Sequence, residues 1–203
     1  MKKFIRDNPT IAFGLGLPLL LVVSFLAISG IPALLVAPAL YDVLYVTNYN
    51  YYSNSQNAFQ IAVVGDRVQV SYISNTQPYQ QPRLWRFTPK SGAVKEIALF
   101  LPPGLAVNTG RPAETPNVPT VTPIEVPDLA SLKVDSSSLA PDGYRFSAGA
   151  DGYSEHVFTG LFLSSRYRYQ AELIKNGRSI RLPNTDGAYY GNTVRFIGWV
   201  VSP

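Results

Sequence analysis

The chain contains one histidine, His156, and it lies directly after an acidic residue, Glu155. A histidine next to a carboxylate can activate a hydroxyl nucleophile, and Ser154 and Ser164 are the candidate nucleophiles here. Neither serine stands in the G-x-S-x-G turn that exposes the nucleophile of many hydrolases. A single histidine at the start of a predicted strand is more typical of a surface or interface residue than of a catalytic one. We therefore expect no hydrolytic site.

Two aspartates, Asp142 and Asp151, form a candidate pair for glycoside hydrolysis. Both lie in glycine-rich turns, where an aspartate side chain stabilises the turn itself. Neither Asp151-Gly152 nor Asp186-Gly187 has the spacing of a calcium-binding loop. The chain has no cysteine, which excludes disulfides and cysteine-ligated zinc, and it lacks phosphate-binding and dinucleotide fingerprints. The sequence thus predicts no enzymatic activity, no cofactor and no metal ion.

Several tyrosines and arginines are candidates for an interaction surface. The Arg166–Tyr169 segment alternates, so both arginines lie on one face of a predicted strand. This face is either an ordinary half-exposed strand or a cationic strip for lipid headgroups or an acidic partner. The polar segment 47–57 is either a linker or a docking surface rich in tyrosine. The candidate interaction residues are Tyr49, Tyr51, Tyr52, Arg166 and Arg168.

The element that positions these residues is a long apolar segment near the N-terminus. No charged residue occurs between Asp7 and Asp42. This run exceeds the roughly 20 residues that an α-helix needs to cross a bilayer. A cleaved signal peptide is the alternative, but it does not require the apolar residues that continue through Leu40. We expect a transmembrane helix and a proline-punctuated neck over residues 10–46, with these anchor residues: Ile11, Leu19, Leu20, Val23, Phe25 and Leu26.

The small residues Ala12, Gly14 and Gly16 form a candidate face for packing against another helix. They are equally well explained as small residues that lipid tolerates. The basic N-terminus at residues 1–9 has three Lys/Arg, and none follows the apolar segment until Arg67. The positive-inside rule then predicts a single-pass protein with a cytoplasmic N-terminus and a periplasmic or extracellular C-terminal domain.

The remaining chain has the turn chemistry and alternation of antiparallel β structure. Gly65-Asp66 is a turn between two predicted strands, and Asn176-Gly177 is the strongest hairpin signal, because a type I′ turn needs positive φ at both central positions. Residues 101–127 contain seven prolines, and this spacing predicts an extended segment over the surface, the proline excursion. We expect a mainly β domain over 58–203, a sandwich or a partial propeller. The predicted strands are Phe59–Val64, Arg67–Ser74, Arg83–Thr88, Ala93–Leu99, Leu132–Val134, Tyr144–Ala148, His156–Ser164, Arg166–Lys175, Arg178–Leu182 and Thr193–Val201.

Two segments resemble the blade hairpins of β-propellers of the TolB-like and WD types. Leu84–Val94 resembles the hairpin in which a Trp-containing strand precedes a Pro-x-Ser-Gly turn. Leu139–Phe146 resembles the Ser-Pro-Asp-Gly turn of these blades, with Ala140 in place of serine. The resemblance covers about a tenth of the chain without the period of about 40 residues that propellers have. It implies hairpins at these positions and no particular activity.

The chain of 203 residues carries a net charge of +4. This charge is too small and too scattered for a nucleic-acid-binding surface. We expect an accessory or structural subunit of a larger membrane protein assembly, with a lipid bilayer and other membrane-protein subunits as partners. The alternative is a tethered binding module for glycan, peptide or cell-envelope material, which would use exposed Trp85, Trp199 and tyrosine residues.

Overall fold

A computed structural model describes residues 9–49, 58–74, 81–100, 120–148, 170–185 and 194–202. By its internal contacts the chain divides into two compact units. One comprises Met1–Ala37 with Lys175–Ser179, and the other comprises Pro38–Ile174 with Ile180–Pro203.

The first unit contains helix α1, which spans Pro9–Leu35 over 27 residues. Proline is favourable at the start of a helix because the first backbone N–H groups have no helical partner. Near the other end, the Arg178 Nη1 atom donates a hydrogen bond of 2.7 Å to the carbonyl oxygen of Val36. A cation there complements the negative end of the helix dipole.

The prediction of a transmembrane helix is wrong for the residues that the structure describes. No helix among them has the combined length and apolar content needed to span a bilayer. The helix includes Gly14, Gly16, Pro18 and Ser24, which lower the apolar content of the run. The predicted neck also differs, because residues 42–47 form a β-strand and not an extension of the helix.

Eleven strands and a short helix, α2 (Pro127–Ala130), follow α1 in the described part of the chain. The strands are β1 (Asp42–Thr47), β2 (Phe59–Val64), β3 (Arg67–Ile73), β4 (Arg83–Thr88), β5 (Ala93–Ile97), β6 (Val121–Ile124), β7 (Lys133–Asp135), β8 (Arg145–Ser147), β9 (Glu172–Lys175), β10 (Arg178–Arg181) and β11 (Arg195–Ser202). They form three sheets, whose orders are β5-β4-β1-β11-β7, β2-β3-β6 and β10-β9-β8.

The five-stranded sheet is the centre of the second unit, and its middle strands are buried on both faces. On one face, Leu44 and Val46 of β1 pack in a core with Ile61 and Val70 of the β2-β3-β6 sheet. Successive side chains of a strand point to opposite faces, so Tyr45 lies on the other face. Its hydroxyl group donates a hydrogen bond of 2.7 Å to the Pro183 carbonyl oxygen.

A β-bulge in β11 changes which of its side chains lie on the same face of the sheet. The β1–β11 ladder pairs Leu44 with Gly198 but Tyr45 with Phe196, so the register shifts by one residue. Because of this extra residue, Phe196 and Trp199 lie on the same face with ring centroids 5.2 Å apart. The Phe146 ring of β8 packs on that face, 5.1 Å from the ring of Phe196.

The β-rich, antiparallel architecture is confirmed, and most predicted strands lie at or within two residues of observed ones. Both turns predicted between strands have positive φ at their two central residues. Two strands were not predicted: β1, and β6 in the proline-rich segment. In β6, Pro123 is accommodated because this strand pairs only with β3 within the described residues. The strand predicted at 156–164 and most of the proline excursion lie outside the described residues.

Candidate functional site

The residues considered as candidates for catalysis or metal binding do not form such a site in the part of the chain that the structure describes. The Asp142 carboxylate accepts hydrogen bonds from the backbone N–H of Leu40 at 2.7 Å and of Tyr144 at 3.3 Å, so it stabilises its turn. Asp151 and the Glu155–His156 pair lie outside the described residues, as do both candidate serines. Among the described side chains, no group of three or more His, Asp or Glu is placed to hold a metal ion.

The predicted interaction residues are only partly described. Tyr49 is 6 % exposed and belongs to the core, so it presents little surface to a partner. The other four, Tyr51, Tyr52, Arg166 and Arg168, lie outside the described residues. The side chains of Ile11, Ala12 and Leu26 in α1 are likewise not described.

The two tryptophans are buried. Trp85 is 6 % exposed and Trp199 is 1 % exposed. The Trp85 Nε1 atom donates to the Thr47 hydroxyl oxygen at 2.9 Å, and Trp199 Nε1 donates to the Ser137 carbonyl oxygen at 3.0 Å. Neither indole is free to stack on a sugar ring, so the binding-module alternative loses the two tryptophans as its aromatic platform, and its tyrosines at 51 and 52 lie outside the described residues.

Large apolar side chains of α1 are exposed. Leu19, Leu20 and Val23, which we predicted as anchor residues, are 57–67 % exposed, and Phe25 is 42 % exposed. A Cβ atom added at Gly14 or Gly16 would meet nothing within 4 Å. The described part of this helix therefore presents an uncharged, apolar surface to its surroundings.

The edges of the three sheets differ in how they resist pairing with another strand. An exposed edge strand is normally protected by charges, proline, a bulge or short length. Strand β5 carries Lys95 and Glu96, β6 carries Pro123, and β10 carries two arginines. Strands β7 and β8 have only three residues each. Each of these five edges thus has at least one protective feature.

Strand β2 is the exception among the described edges. Its sequence, FQIAVV, has no charged residue and no proline, and all six residues pair with β3 without a bulge. Within the described residues β3 is its only partner strand. Val64 is 53 % exposed, and Gln60 is also exposed. Phe59 and Ile61 of β2 are only 3 % and 0 % exposed, so surrounding atoms cover the other edge along this part of the strand.

The backbone geometry shows which groups of β2 face away from β3. The Ile73 N–H donates to the Ala58 carbonyl oxygen at 2.9 Å, which sets a hydrogen-bonded pair one residue before β2. Such pairs alternate along an antiparallel ladder, so Gln60, Ala62 and Val64 bond to β3. The N–H and C=O groups of Phe59, Ile61 and Val63 consequently point away from β3.

A cleft of about 330 Å³ lies beside this edge. It is lined by Ile61–Val63 of β2, by Arg195–Ile197 of β11 and by Ser136. Strand β7 pairs with β11 from Trp199 to Ser202 only, so within the described residues it leaves Arg195–Ile197 uncovered on this side. The cleft thus lies where β7 ends. A smaller hollow of about 210 Å³ near Phe100 and Glu125 has no comparable strand edge.

Arg195 provides the positive charge of the cleft. Its guanidinium group lies 4.9 Å from the centre of the Tyr49 ring, and its Nη1 atom donates to the Tyr49 hydroxyl oxygen at 2.9 Å. These contacts fix the position of the side chain, and no carboxylate among the described residues forms a salt bridge with it. A guanidinium group has five N–H donors, so most of them remain for a ligand.

No protein-family model, curated protein or solved structure matches the chain. The resemblance to propeller blades therefore stays a prediction. The candidate site consists of the cleft that β2 and β11 line together with Arg195, and sequence reasoning did not single out either Arg195 or the cleft. The one available signal was the uncharged, proline-free sequence of β2 between two polar segments.

Proposed function

We propose that this protein is an accessory structural subunit that joins a larger protein assembly and has no catalytic activity of its own. The observation that carries this proposal is the exposure of large apolar side chains along α1. Leaving such side chains in water is unfavourable by about 25 cal/mol for each Å² of apolar area. Surfaces of this kind are typical of binding interfaces.

Within the described part of α1, the exposed side chains lie on every side of the helix axis. The five consecutive residues from Leu19 to Val23 are each 55–67 % exposed. Successive residues of an α-helix are about 100° apart, so these five side chains point in all directions. A helix that is apolar on every side requires apolar surroundings on every side. We assign those surroundings to apolar helices of partner subunits, which can approach closely at Gly14 and Gly16.

Site-specific photo-crosslinking of the full chain in its native cells tests the proposal. A crosslinker placed in turn at Leu17, Leu20 and Val23 should capture the same partner protein at each position. The charged variant Leu20→Glu should abolish capture at the other two positions, because an unpaired charge in an apolar interface is costly. Leu139→Glu is the matched control, since Leu139 is 55 % exposed in the β unit and should not affect capture.

Two results would contradict the proposal. One is a purified protein that is monomeric in mild detergent and gives no protein crosslink from any of the three positions. The other is a chain that floats with protein-free phosphatidylcholine vesicles and crosslinks only to lipid in cells. The predicted contacts with a lipid bilayer and the exported location of the β domain stay predictions.

A further inference from the structure

We propose that the cleft beside β2 binds a small organic monocarboxylate, whose carboxylate group pairs with Arg195 and whose hydrocarbon part lies against Ala62 and Val63. This inference goes beyond the proposed function, because it gives the β unit a small-molecule ligand. It uses no residue of α1, so the two proposals can fail separately.

The first argument is the space beside Arg195. The cleft has a volume of about 330 Å³, at the lower end of the range of about 300–1,000 Å³ that is usual for ligand sites. Among its described lining residues, Ala62 and Val63 are half-buried, as is Arg195, and Ser136 is exposed, so a ligand can reach their atoms. Ile61 is fully buried and lies behind this accessible surface. The cleft therefore suits a small ligand.

The second argument is the position of the Arg195 guanidinium group. Its cation–π contact with the Tyr49 ring and its hydrogen bond to the Tyr49 hydroxyl oxygen hold the group in place, and Tyr49 itself is buried in the core. A guanidinium group that is already held in place loses little conformational freedom when it binds a carboxylate. Its planar set of N–H donors matches the two oxygens of a carboxylate. This arrangement favours a carboxylate over a neutral ligand.

The third argument concerns the acidic residue that lies nearest to the cleft in the sequence. Asp135 directly precedes Ser136, but its carboxylate accepts two hydrogen bonds of 2.8 Å from Ser137, one from the backbone N–H and one from the hydroxyl group. This carboxylate therefore stabilises its own turn, and it forms no salt bridge with Arg195. Ser136 lines the cleft, and its hydroxyl group is a second donor for a bound carboxylate.

An NMR titration of the full chain in mild detergent, labelled with 15N at arginine, tests this inference. Butanoate should bind with a Kd on the order of 1 mM, because so small a ligand makes few contacts. Butanamide has the same shape without the charge and should bind at least about tenfold more weakly, since hydrogen bonds between charged groups are stronger. Acetate should also bind about tenfold more weakly, because it lacks two methylene groups that lie against β2.

Two pairs of variants locate the binding. Arg195→Gln should reduce the affinity for butanoate to that for butanamide, whereas Arg145→Gln, which replaces an exposed arginine of β8, should leave it unchanged. Ser136→Trp should fill part of the cleft and weaken butanoate binding by at least about tenfold. Ser138→Trp is its control, because Ser138 is exposed and is not among the described residues that line the cleft. The Ser136 variant keeps the contact of Arg195 with Tyr49, so it tests the site even if Arg195→Gln does not fold.

Butanoate should also shift the Nε–Hε resonance that Arg195→Gln lacks. The inference is overturned if the wild-type chain shows no butanoate binding at about 10 mM, if butanamide binds equally well, or if inorganic phosphate binds more tightly than butanoate. It is equally overturned if a folded Ser136→Trp variant binds butanoate as the wild type does.

The α1 variant Leu20→Glu should bind butanoate normally, because the cleft contains no residue of α1. Loss of partner crosslinks in that variant together with absent butanoate binding in the wild type would leave the proposed function intact and exclude the carboxylate site. Butanoate binding without any partner crosslink would have the opposite meaning.

Discussion

Val134 occupies the space that a side chain on Gly198 would need. A Cβ atom built on Gly198 would overlap the Val134 Cγ1 atom and lie 2.7 Å from the Asp135 carbonyl oxygen. Strand β7 can therefore pack closely against β11 only because residue 198 is glycine. The same residue stands at the register shift between β1 and β11.

Replacement of Gly198 by alanine should lower the free energy of unfolding by about 1–3 kcal/mol, the usual range for overpacking a well-packed interior. Denaturant unfolding measures this change. Gly16→Ala is the control, because a Cβ atom at Gly16 meets nothing within 4 Å and alanine favours a helix by about 1 kcal/mol over glycine. A Gly198→Ala protein as stable as the wild type would show that β7 can move away at little cost.

Two ion pairs on the central sheet should differ in strength because they differ in exposure. Arg86 Nε lies 2.7 Å from Asp42 Oδ2, with side chains 30 % and 14 % exposed, whereas the Arg83–Glu96 pair has exposures of 50 % and 40 %. Double-mutant cycles with Asn and Gln should give a coupling of about 1 kcal/mol for the first pair and below about 0.5 kcal/mol for the second. High salt should weaken the second pair more. Equal couplings with equal salt dependence would contradict this expectation.

Tyr45 should make the stability of the protein fall at alkaline pH. Burial raises the pKa of the Tyr45 hydroxyl group above its ordinary value of 10.0. The unfolded chain therefore loses this proton first, and the contribution to stability is fully present below pH 10.0 and is lost as the pH rises further. Unfolding measured from about pH 8 to pH 11 should show a steeper decline for the wild type than for Tyr45→Phe.

The Tyr45→Phe variant also provides a check at neutral pH. It lacks the hydrogen bond to the Pro183 carbonyl oxygen and should lose about 1 kcal/mol of stability there. The remaining tyrosines are common to both proteins, so they cancel in the comparison. Parallel stability curves for the two proteins at alkaline pH would show that the Tyr45 pKa is not raised.

Strands with one buried and one exposed face were predictable from the sequence. In β3, alternating residues and the preceding Gly65-Asp66 turn define the strand within one residue of its observed end. Strand β1 was not predictable in this way, because five of its six residues are buried and its sequence, DVLYVT, shows no alternation. Next to an apolar helix, such a run reads as a continuation of that helix.

The candidate site was not predictable for a different reason. Whether β2 is an edge strand depends on how β-strands distant in sequence pair. The residues of a single strand do not indicate this pairing. Arg195 and Tyr49 are separated by 146 positions in the chain, and only the fold brings them together. The composition of β2 indicated a strand without protective residues, but not which strands lie beside it.

The pairing of β1 with β11 has a consequence for biosynthesis. Its ladder joins residues 42–46 to residues 195–200, so the middle of the central sheet cannot close until the ribosome has made β11. Until then, the apolar residues of β1 lack the strand that borders them, and contacts between such distant segments form slowly. The nascent chain is therefore exposed to aggregation while the residues between β1 and β11 are made, and a chaperone bound to β1 during translation would shield it until β11 emerges.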